Sequence, residues 1–235
     1  MIFNFLLTMH KHYLLLIILL FISTASYSQT YTFDYMLEYN YRDLTDTVET
    51  QTKPKPGTLY RFINSKSNAC YMNVRESKGK TQMQPTLETG KFYLSSMPTE
   101  DFFVEGISMK CPYFGFVPPS DKKFKDFEFI TKADTIINTE RFKHYVLNPI
   151  NEKKFKKGEI TIEHYIIDNS LNLTIPIVLG QSLSHQFWEK GTKLPNGILK
   201  EVFGINAEGK KTFEQKLVQA LPIKKIIIID NSKCK

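Results

Sequence analysis

Apolar and aromatic side chains alternate with mainly polar ones over residues 31–42. The apolar positions all have odd numbers: Tyr31, Phe33, Tyr35, Leu37, Tyr39 and Tyr41. Because successive side chains of a β-strand point to opposite faces, this pattern predicts one long strand with an aromatic face. Such a face can bury a large apolar area, so the strand is expected to nucleate a sheet.

Shorter runs with the same character predict further strands. Leu59–Ile63 and Cys70–Val74 flank a segment of Asn, Ser and Lys residues, which is typical of a β-hairpin. Other strands are predicted near Lys91–Ser95, Phe127–Thr131, Asp134–Ile137, Phe142–Leu147, Glu159–Asp168, Thr212–Val218 and Ile223–Ile229. No long segment repeats with a helical period of 3.6 residues. The predicted fold class is mostly β, with a curved antiparallel sheet or open half-barrel and few short helices.

An Asn-Gly pair predicts one more hairpin in the last third of the chain. It lies between the apolar runs Leu183–Lys190 and Ile198–Ile205. Because Asn-Gly favours the tight turns that join antiparallel strands, both runs are expected to be strands.

Residues 101–119 combine many aromatic side chains with glycines and prolines. Proline disfavours a central strand and glycine disfavours a helix, so an irregular loop is expected. Such a loop either folds back over the core as a plug or lines an apolar pocket. Under the second interpretation, the candidate ligand-lining residues are Phe103, Phe114, Phe116 and, further along the chain, Trp188.

The first 28 residues have the pattern of a secretory signal peptide. Lys11 precedes an apolar run over residues 13–22, and small residues follow it, with cleavage expected before Gln29. Met9 is an alternative start. The apolar run is too short to span a bilayer, and no second span is predicted in the mature chain. Residues 29–235 are therefore expected to form a single β-rich domain, exported to the periplasm or cell envelope, or secreted.

The net charge changes little on removal of this segment. The whole chain carries a formal charge of +7, and residues 1–28 contain one lysine and no acidic residue, so the mature charge is +7 − 1 = +6. A basic exported protein can favour anionic lipid or acidic polymers, although a solvated lysine-rich surface explains the same excess. Export and the lack of a recognisable binding module argue against nucleic acid as a partner.

The three cysteines are Cys70, Cys111 and Cys234. In an oxidising compartment Cys70 and Cys111 can form a disulfide, which would leave Cys234 free. The alternative is that Cys70 and Cys111 are two buried thiols.

Three histidines occupy the apolar parity of predicted strands: His144, His164 and His185. If the connection centred near residue 154 closes a regular hairpin, His144 and His164 face each other across it. Two imidazoles with a third from His185 can bind zinc or copper. Without a spaced metal motif, hydrogen-bonded core histidines are the favoured interpretation, and no metal or other cofactor is expected.

Motifs for enzymatic chemistry are missing from the sequence. Gly204–Lys210 matches part of a phosphate-binding loop, but Lys211 stands where a hydroxyl is required and strands flank the segment. Neither a Gly-x-Ser-x-Gly elbow nor a His-Glu-x-x-His motif occurs. We therefore expect no enzymatic activity and no catalytic residues.

Several segments, taken together, resemble those of exported bacterial β-sheet proteins of the GLPGLI type, whose function is unknown. They are 134–139, 142–149, 165–168 and the Leu-Pro-Asn-Gly run 194–197. A more distant resemblance is to the periplasmic lipoprotein carriers. It implies an unclosed half-barrel whose concave face can hold apolar ligands. The GLPGLI run itself is replaced by residues 172–177, and no amphipathic covering helix is predicted.

Besides a metal-dependent enzyme that uses the three histidines, these observations lead to two hypotheses about function. The first is an exported, non-enzymatic protein that binds a lipid or other apolar ligand on its curved sheet. The alternative is a structural or protein-interaction module of the cell envelope, in which an exposed edge strand pairs with a partner.

Overall fold

A computed structural model describes residues 28–44, 57–116, 124–171, 173, 176 and 182–230. The predicted signal peptide therefore lies outside the described residues, apart from Ser28. Residues 45–56, between the first two strands, also lie outside them. No helix within the described ranges is both long and apolar enough to cross a membrane.

Thirteen strands and three short helices form the described part of the chain. The first seven strands are β1 (Ser28–Asp43), β2 (Gly57–Asn64), β3 (Ser67–Ser77), β4 (Lys80–Leu87), β5 (Lys91–Pro98), β6 (Gly106–Lys110) and β7 (Tyr113–Phe116). The remaining six are β8 (Phe127–Thr131), β9 (Thr135–Ile137), β10 (Glu140–Pro149), β11 (Ile162–Asp168), β12 (Ile198–Ile205) and β13 (Lys211–Asp230). The helices are α1 (Thr99–Phe102), α2 (Glu152–Lys156) and α3 (Leu183–Glu189).

All thirteen strands belong to one curved sheet with the path β7-β5-β4-β3-β2-β1-β13-β12-β11-β10-β8, to which β6 and β9 add at the side. Neighbouring strands are antiparallel, except that β6 is parallel to β13. The terminal strands β7 and β8 do not pair within this path, so the sheet does not close. The prediction of a mostly β, open and curved antiparallel sheet is confirmed.

The long strand predicted from the alternating pattern forms the centre of the sheet as β1. It pairs with β13 along its whole length, from Ser28 opposite Asp230 to Asp43 opposite Phe213. The sequence predicted two strands for residues 212–229, but β13 is continuous through Pro222. The register shifts by one residue there, which bends the pair.

The odd-numbered side chains of β1 enter two different cores instead of one aromatic face. Phe33 packs in a cluster with Phe62, whereas Leu37 and Tyr39 pack in another cluster with Ile63. Phe62 and Ile63 are consecutive in β2, so the two clusters lie on opposite faces of the sheet. The register shift next to Phe33 accompanies this change of face.

Residues 183–190 are the largest error in the sequence-based assignment, because most of them form helix α3 rather than a strand. The side-chain oxygen of Ser182 accepts a hydrogen bond from the backbone N–H of His185, which is the contact of a helix N-cap. Ser184 and Phe187 are buried against the sheet. The cap and the sheet face together outweigh the strand-like alternation. Strand β4 was also missed.

The segment 101–119 is more regular than predicted. It contributes the last turn of α1 and the strands β6 and β7, while residues 117–119 lie outside the described ranges. Strand β6 forms because Ile107 and Met109 alternate inward against Ile227 and Ile229 of β13. The prediction of an irregular loop is therefore wrong for residues 106–116.

Candidate functional site

The four candidate ligand-lining residues lie on separate parts of the fold. Phe114 and Phe116 belong to β7 at one end of the sheet, and Phe103 follows α1. Trp188 lies on α3 and packs against Tyr145 and neighbouring side chains near β10 and β11. Whether any of them contacts a ligand stays a prediction.

Strand β7 presents aromatic rings at a sheet edge. Tyr113 is 66%, Phe114 51% and Phe116 52% exposed, and no described strand pairs with the outer side of β7. Its inner side pairs with β5, where Gly115 lies opposite Phe92. A Cβ atom at Gly115 would overlap the Phe92 ring, so a larger residue at this position would require the ring to move.

The aromatic side chains of residues 101–119 are thus divided between the core and the surface. Phe102 is buried and contacts Phe62 edge-to-face at 5.6 Å, which corresponds to the plug interpretation. Its neighbour Phe103 is 72% exposed, and each of the three rings of β7 is more than half exposed. We call Tyr113, Phe114 and Phe116 of β7 the aromatic edge.

A polar groove of about 400 Å³ crosses β3, β4 and β5. Two rows of cross-strand neighbours form its floor: Asn73 pairs with Gln84, and Arg75 pairs with Gln82, which in turn pairs with Ser96. Leu94 and Ser95 complete one wall. The lining is therefore rich in amide and hydroxyl groups that both donate and accept hydrogen bonds.

Arg61 of β2 borders this groove and is only 5% exposed. Its Nε donates a hydrogen bond to Oδ1 of Asn73 at 3.0 Å. The guanidinium carbon lies 5.3 Å from the ring centre of Tyr39 and 5.9 Å from that of Tyr71, at cation–π distance. Burial raises the pKa of Tyr39 to about 12, while the charge of Arg61 acts in the opposite direction.

Sequence analysis missed this groove, although one signal for it was present. In the predicted strand Leu59–Ile63, Arg61 is two residues from both Leu59 and Ile63. The alternation of a strand therefore directs its charged side chain to the same apolar face. A buried cation is rare enough to require a reason. The polar residues of β4 could not be placed because that strand was not predicted.

His144 and His164 contact each other, with 3.1 Å between Nε2 of His144 and Nδ1 of His164. They are diagonal rather than directly opposite, because His144 pairs with Ile166 and His164 with Val146. His164 also stacks on the Phe203 ring at 4.6 Å. The predicted proximity is correct, and the predicted register is two residues off.

The electrostatic surroundings of the histidine pair disfavour a bound cation. Burial lowers the pKa of His144, and the charge of Lys132 lowers it further. For His164, burial and the neighbouring His144 lower the pKa, followed by the charges of Lys132 and Lys211. A lowered pKa keeps each imidazole in the neutral form that can bind a metal, so only the charges of these lysines oppose a bound cation.

His185 does not join the pair. The hydroxyl of Tyr145 contacts Ser184 Oγ at 3.1 Å, which places α3 on the odd-numbered face of β10. His144 lies on the even-numbered face, so the sheet separates it from His185. The alternative of a site built from His144, His164 and His185 is wrong, and the described residues contain no group of three or more His, Cys, Asp or Glu arranged to hold a metal.

The predicted disulfide between Cys70 and Cys111 is also wrong. Cys70 is a free thiol, because its inward position in β3 places it among apolar core side chains. Burial raises its pKa to about 12. Cys111, which follows β6, is disulfide-bonded, and Cys234 lies outside the described residues.

A second polar cleft, of about 420 Å³, lies beside β1 and contains the buried carboxylate of Glu214. Burial raises the pKa of Glu214, but the hydrogen bond from Lys211, the charge of Lys216 and the contact with Arg42 outweigh it, so the pKa is lowered overall. Because cations surround this buried charge on several sides, the cluster is explained by structural pairing alone.

No protein-family model matches the chain, and no curated protein sequence matches it. The resemblance to proteins of the GLPGLI type therefore stays a prediction.

Several solved structures match the chain at very low sequence identity. MucB is 6% identical, with a TM-score of 0.42, and the match covers 81% of this chain and 53% of MucB. The Pseudomonas aeruginosa MucA/MucB complex contains a chain that is 7% identical, with coverage of 82% and 52% and a TM-score of 0.42. The chain thus spans about half the length of these proteins.

A third solved structure is a putative outer membrane lipoprotein-sorting protein domain from Vibrio parahaemolyticus. It is 10% identical, with a TM-score of 0.21, and the match covers 81% of this chain and 84% of that domain. Likeness at this level assigns no activity, ligand or partner to the chain.

Proposed function

We propose that this chain is an exported, non-enzymatic interaction module that binds an extended, apolar segment of a cell-envelope protein at the aromatic edge. The observation that supports this function is the outer side of β7, where exposed rings accompany a strand edge without a described partner. Partner strands add to such edges through backbone hydrogen bonds, and side chains then supply specificity.

The residue composition of β7 is more typical of an edge strand that binds a partner than of one protected against association. Natural edge strands are usually blunted by charges or by burial under other elements, because free backbone groups invite association. Strand β7 has the sequence Tyr-Phe-Gly-Phe and contains no charged residue. Phe114 and Phe116 point to the same face of β7 and are each more than half exposed, and exposed apolar side chains of this kind mark surfaces that contact other molecules.

The charged residues around the aromatic edge indicate the charge that a partner should carry. Lys91 is exposed and pairs with Phe116 across β5 and β7, and Lys110 at the end of β6 is also exposed. An apolar strand flanked by acidic residues would complement both the rings and these lysines.

Site-specific photo-crosslinking in the native cell tests this function. A photoreactive residue at Phe116 is expected to capture a discrete envelope protein, whereas the same residue at Lys66, in the exposed turn between β2 and β3, is not. Tyr113→Asp together with Phe114→Asp should abolish the capture, because charges cannot replace the apolar contacts.

Hydrogen exchange on the captured complex then distinguishes strand addition from a simple contact. The β7 amides should become protected when the partner binds, since they gain backbone hydrogen bonds. Equal capture at Phe116 and Lys66, capture that survives the double substitution, or no capture would each contradict the proposed function.

The same exposed rings favour a second candidate, the binding of a lipid or other apolar ligand. Native mass spectrometry of the mature protein would then show a stoichiometric lipid adduct. A fluorescent fatty-acid probe would bind with saturation, and Phe114→Asp with Phe116→Asp would reduce its uptake. Trp188 is the single tryptophan of the chain, so quenching of its fluorescence by the probe would place the ligand near α3 instead.

A further inference from the structure

The polar groove over β3–β5 is built around a buried cation that no described carboxylate neutralises. The ion pairs within the described ranges do not include Arg61, which is 5% exposed. Two tyrosine rings and Asn73 hold its guanidinium group. Removing a charge from water without a counter-ion is strongly unfavourable, so this arrangement is stabilised only in part.

A second buried cation in the same fold has its hydrogen bonds supplied by the backbone. Lys225 is also 5% exposed, and its Nζ donates hydrogen bonds to the carbonyl oxygens of Phe102 and Val104 at the end of α1. It closes a helix end and borders none of the grooves described above. Arg61 instead directs its described hydrogen bond to a side chain that lines an open groove.

The hydrogen bond from Arg61 also determines what Asn73 can offer. Because Oδ1 of Asn73 accepts from Arg61, the Nδ2 amide group remains as a donor toward the groove. Arg75, exposed on the same face of β3, adds a second guanidinium group two residues away. Gln82 and Gln84 continue the floor with amides that can both donate and accept.

Guanidinium groups match the planar geometry of carboxylate and phosphate oxygens. The amide and hydroxyl lining matches a ligand with many hydroxyl groups, and Leu94 provides an apolar wall. The groove volume of about 400 Å³ falls within the usual range for small-molecule sites.

We propose that this groove is a second binding site, which adjoins the aromatic edge where Leu94 pairs with Tyr113 and takes a hydroxyl-rich acidic ligand of the sugar-acid class. Arg75 contacts the carboxylate, and Asn73, Gln82 and Gln84 bind the hydroxyl groups. Arg61 is a positioning residue that orients Asn73 and contributes positive charge below the groove.

Isothermal titration of the mature protein tests the site with three probes: tri-galacturonate, neutral maltotriose and inorganic phosphate. Tri-galacturonate should bind with saturation and more tightly than the other two. Arg75→Gln should weaken this binding about 10- to 100-fold, as expected for loss of a hydrogen bond to a charged group. Arg141→Gln, an exposed arginine on β10 away from the groove, is the matched control and should leave binding unchanged.

Arg61→Met separates positioning from a purely structural role. If Arg61 serves the ligand, removing its buried charge should leave the melting temperature unchanged or raise it, while the preference for tri-galacturonate over maltotriose falls about tenfold or more. A structural arginine would instead lower the melting temperature and leave the probe preference of the folded fraction intact.

Three results would overturn the proposal. They are a lack of binding to tri-galacturonate, equal binding of tri-galacturonate and maltotriose, and unchanged binding in Arg75→Gln. Binding of phosphate as tight as that of tri-galacturonate would exclude the sugar-acid class and leave a simple anion site. The aromatic edge is unchanged in all of these variants.

Discussion

Two ends of the sheet are rich in aromatic side chains, and among the described residues a helix covers one of them. At the β10–β11 end, Tyr145 stacks on Tyr165 with 4.7 Å between ring centres, and α3 packs Phe187 against the same face. At the β7 end, rings of similar size remain more than half exposed. Aromatic content therefore does not distinguish a buried face from an exposed one, and the presence of a covering element decides it.

The largest difference between the two ends is expected in stability. Phe187→Ala should reduce the free energy of unfolding by about 3–5 kcal/mol, because its ring is buried and contacts Phe124 at 4.5 Å. Phe116→Ala, the matched change at the open end, should alter it by no more than about 0.5 kcal/mol. Urea denaturation of both variants measures this contrast, and equal losses would show that the β7 end is also a core.

A smaller effect on stability is expected for a substitution of Gly115, at the β7 end of the sheet. Gly115→Ala should destabilise the protein by about 1–3 kcal/mol, because the added methyl group overlaps the Phe92 ring and pushes β7 from β5. Gly106→Ala has open space around its Cβ position and serves as the control. Faster hydrogen exchange restricted to the β5–β7 ladder would accompany the loss, and unchanged exchange would contradict it.

The packing of α3 over the β10–β11 end of the sheet depends on the capping residue at the start of the helix. Ser182→Ala should cost about 1 kcal/mol, since it removes the side-chain acceptor for the His185 backbone N–H. Ser182→Asp keeps an acceptor and should retain most of the stability. Thermal unfolding followed by circular dichroism measures both variants, and an equal loss in both would exclude capping as the cause.

The smallest expected effect concerns pH and the even-numbered face of the closed end. His144 and His164 have lowered pKa values in the folded protein, whereas the ordinary value is 6.5. The unfolded chain therefore binds more protons between the lowered values and 6.5, so stability should decrease as the pH falls from about 7 toward 5. Other groups also titrate in this range, so the readout is the difference between wild type and a variant.

That variant is His144→Gln combined with His164→Gln, compared with wild type by urea denaturation at several pH values. The double substitution should flatten the decrease below pH 7. An identical pH dependence in both proteins would show that this histidine pair is not its source.

The sequence predicted the elements whose formation depends on a pattern of consecutive residues. The alternation at residues 31–42 predicted β1 because strand periodicity is a property of consecutive residues. The same reasoning failed for residues 183–190, where an apolar run of eight residues suits a strand or a short helix equally well. The Ser182 cap and the available sheet face selected the helix.

The candidate sites show the same limit. The sequence identified Phe103, Phe114 and Phe116 as an unusual aromatic group, but exposure depends on which element covers them. The groove was not predicted, because Asn73, Gln84 and Gln82 become neighbours only through the pairing of β3 with β4.

The sequence by itself therefore determined the strand-rich class and the central strand, because these follow from residue type and local period. Tertiary structure alone decided the switch of faces along β1, the separation of His185 from the histidine pair, and the free thiol of Cys70. Each of these depends on register, bulges and packing between distant segments, which no local pattern encodes.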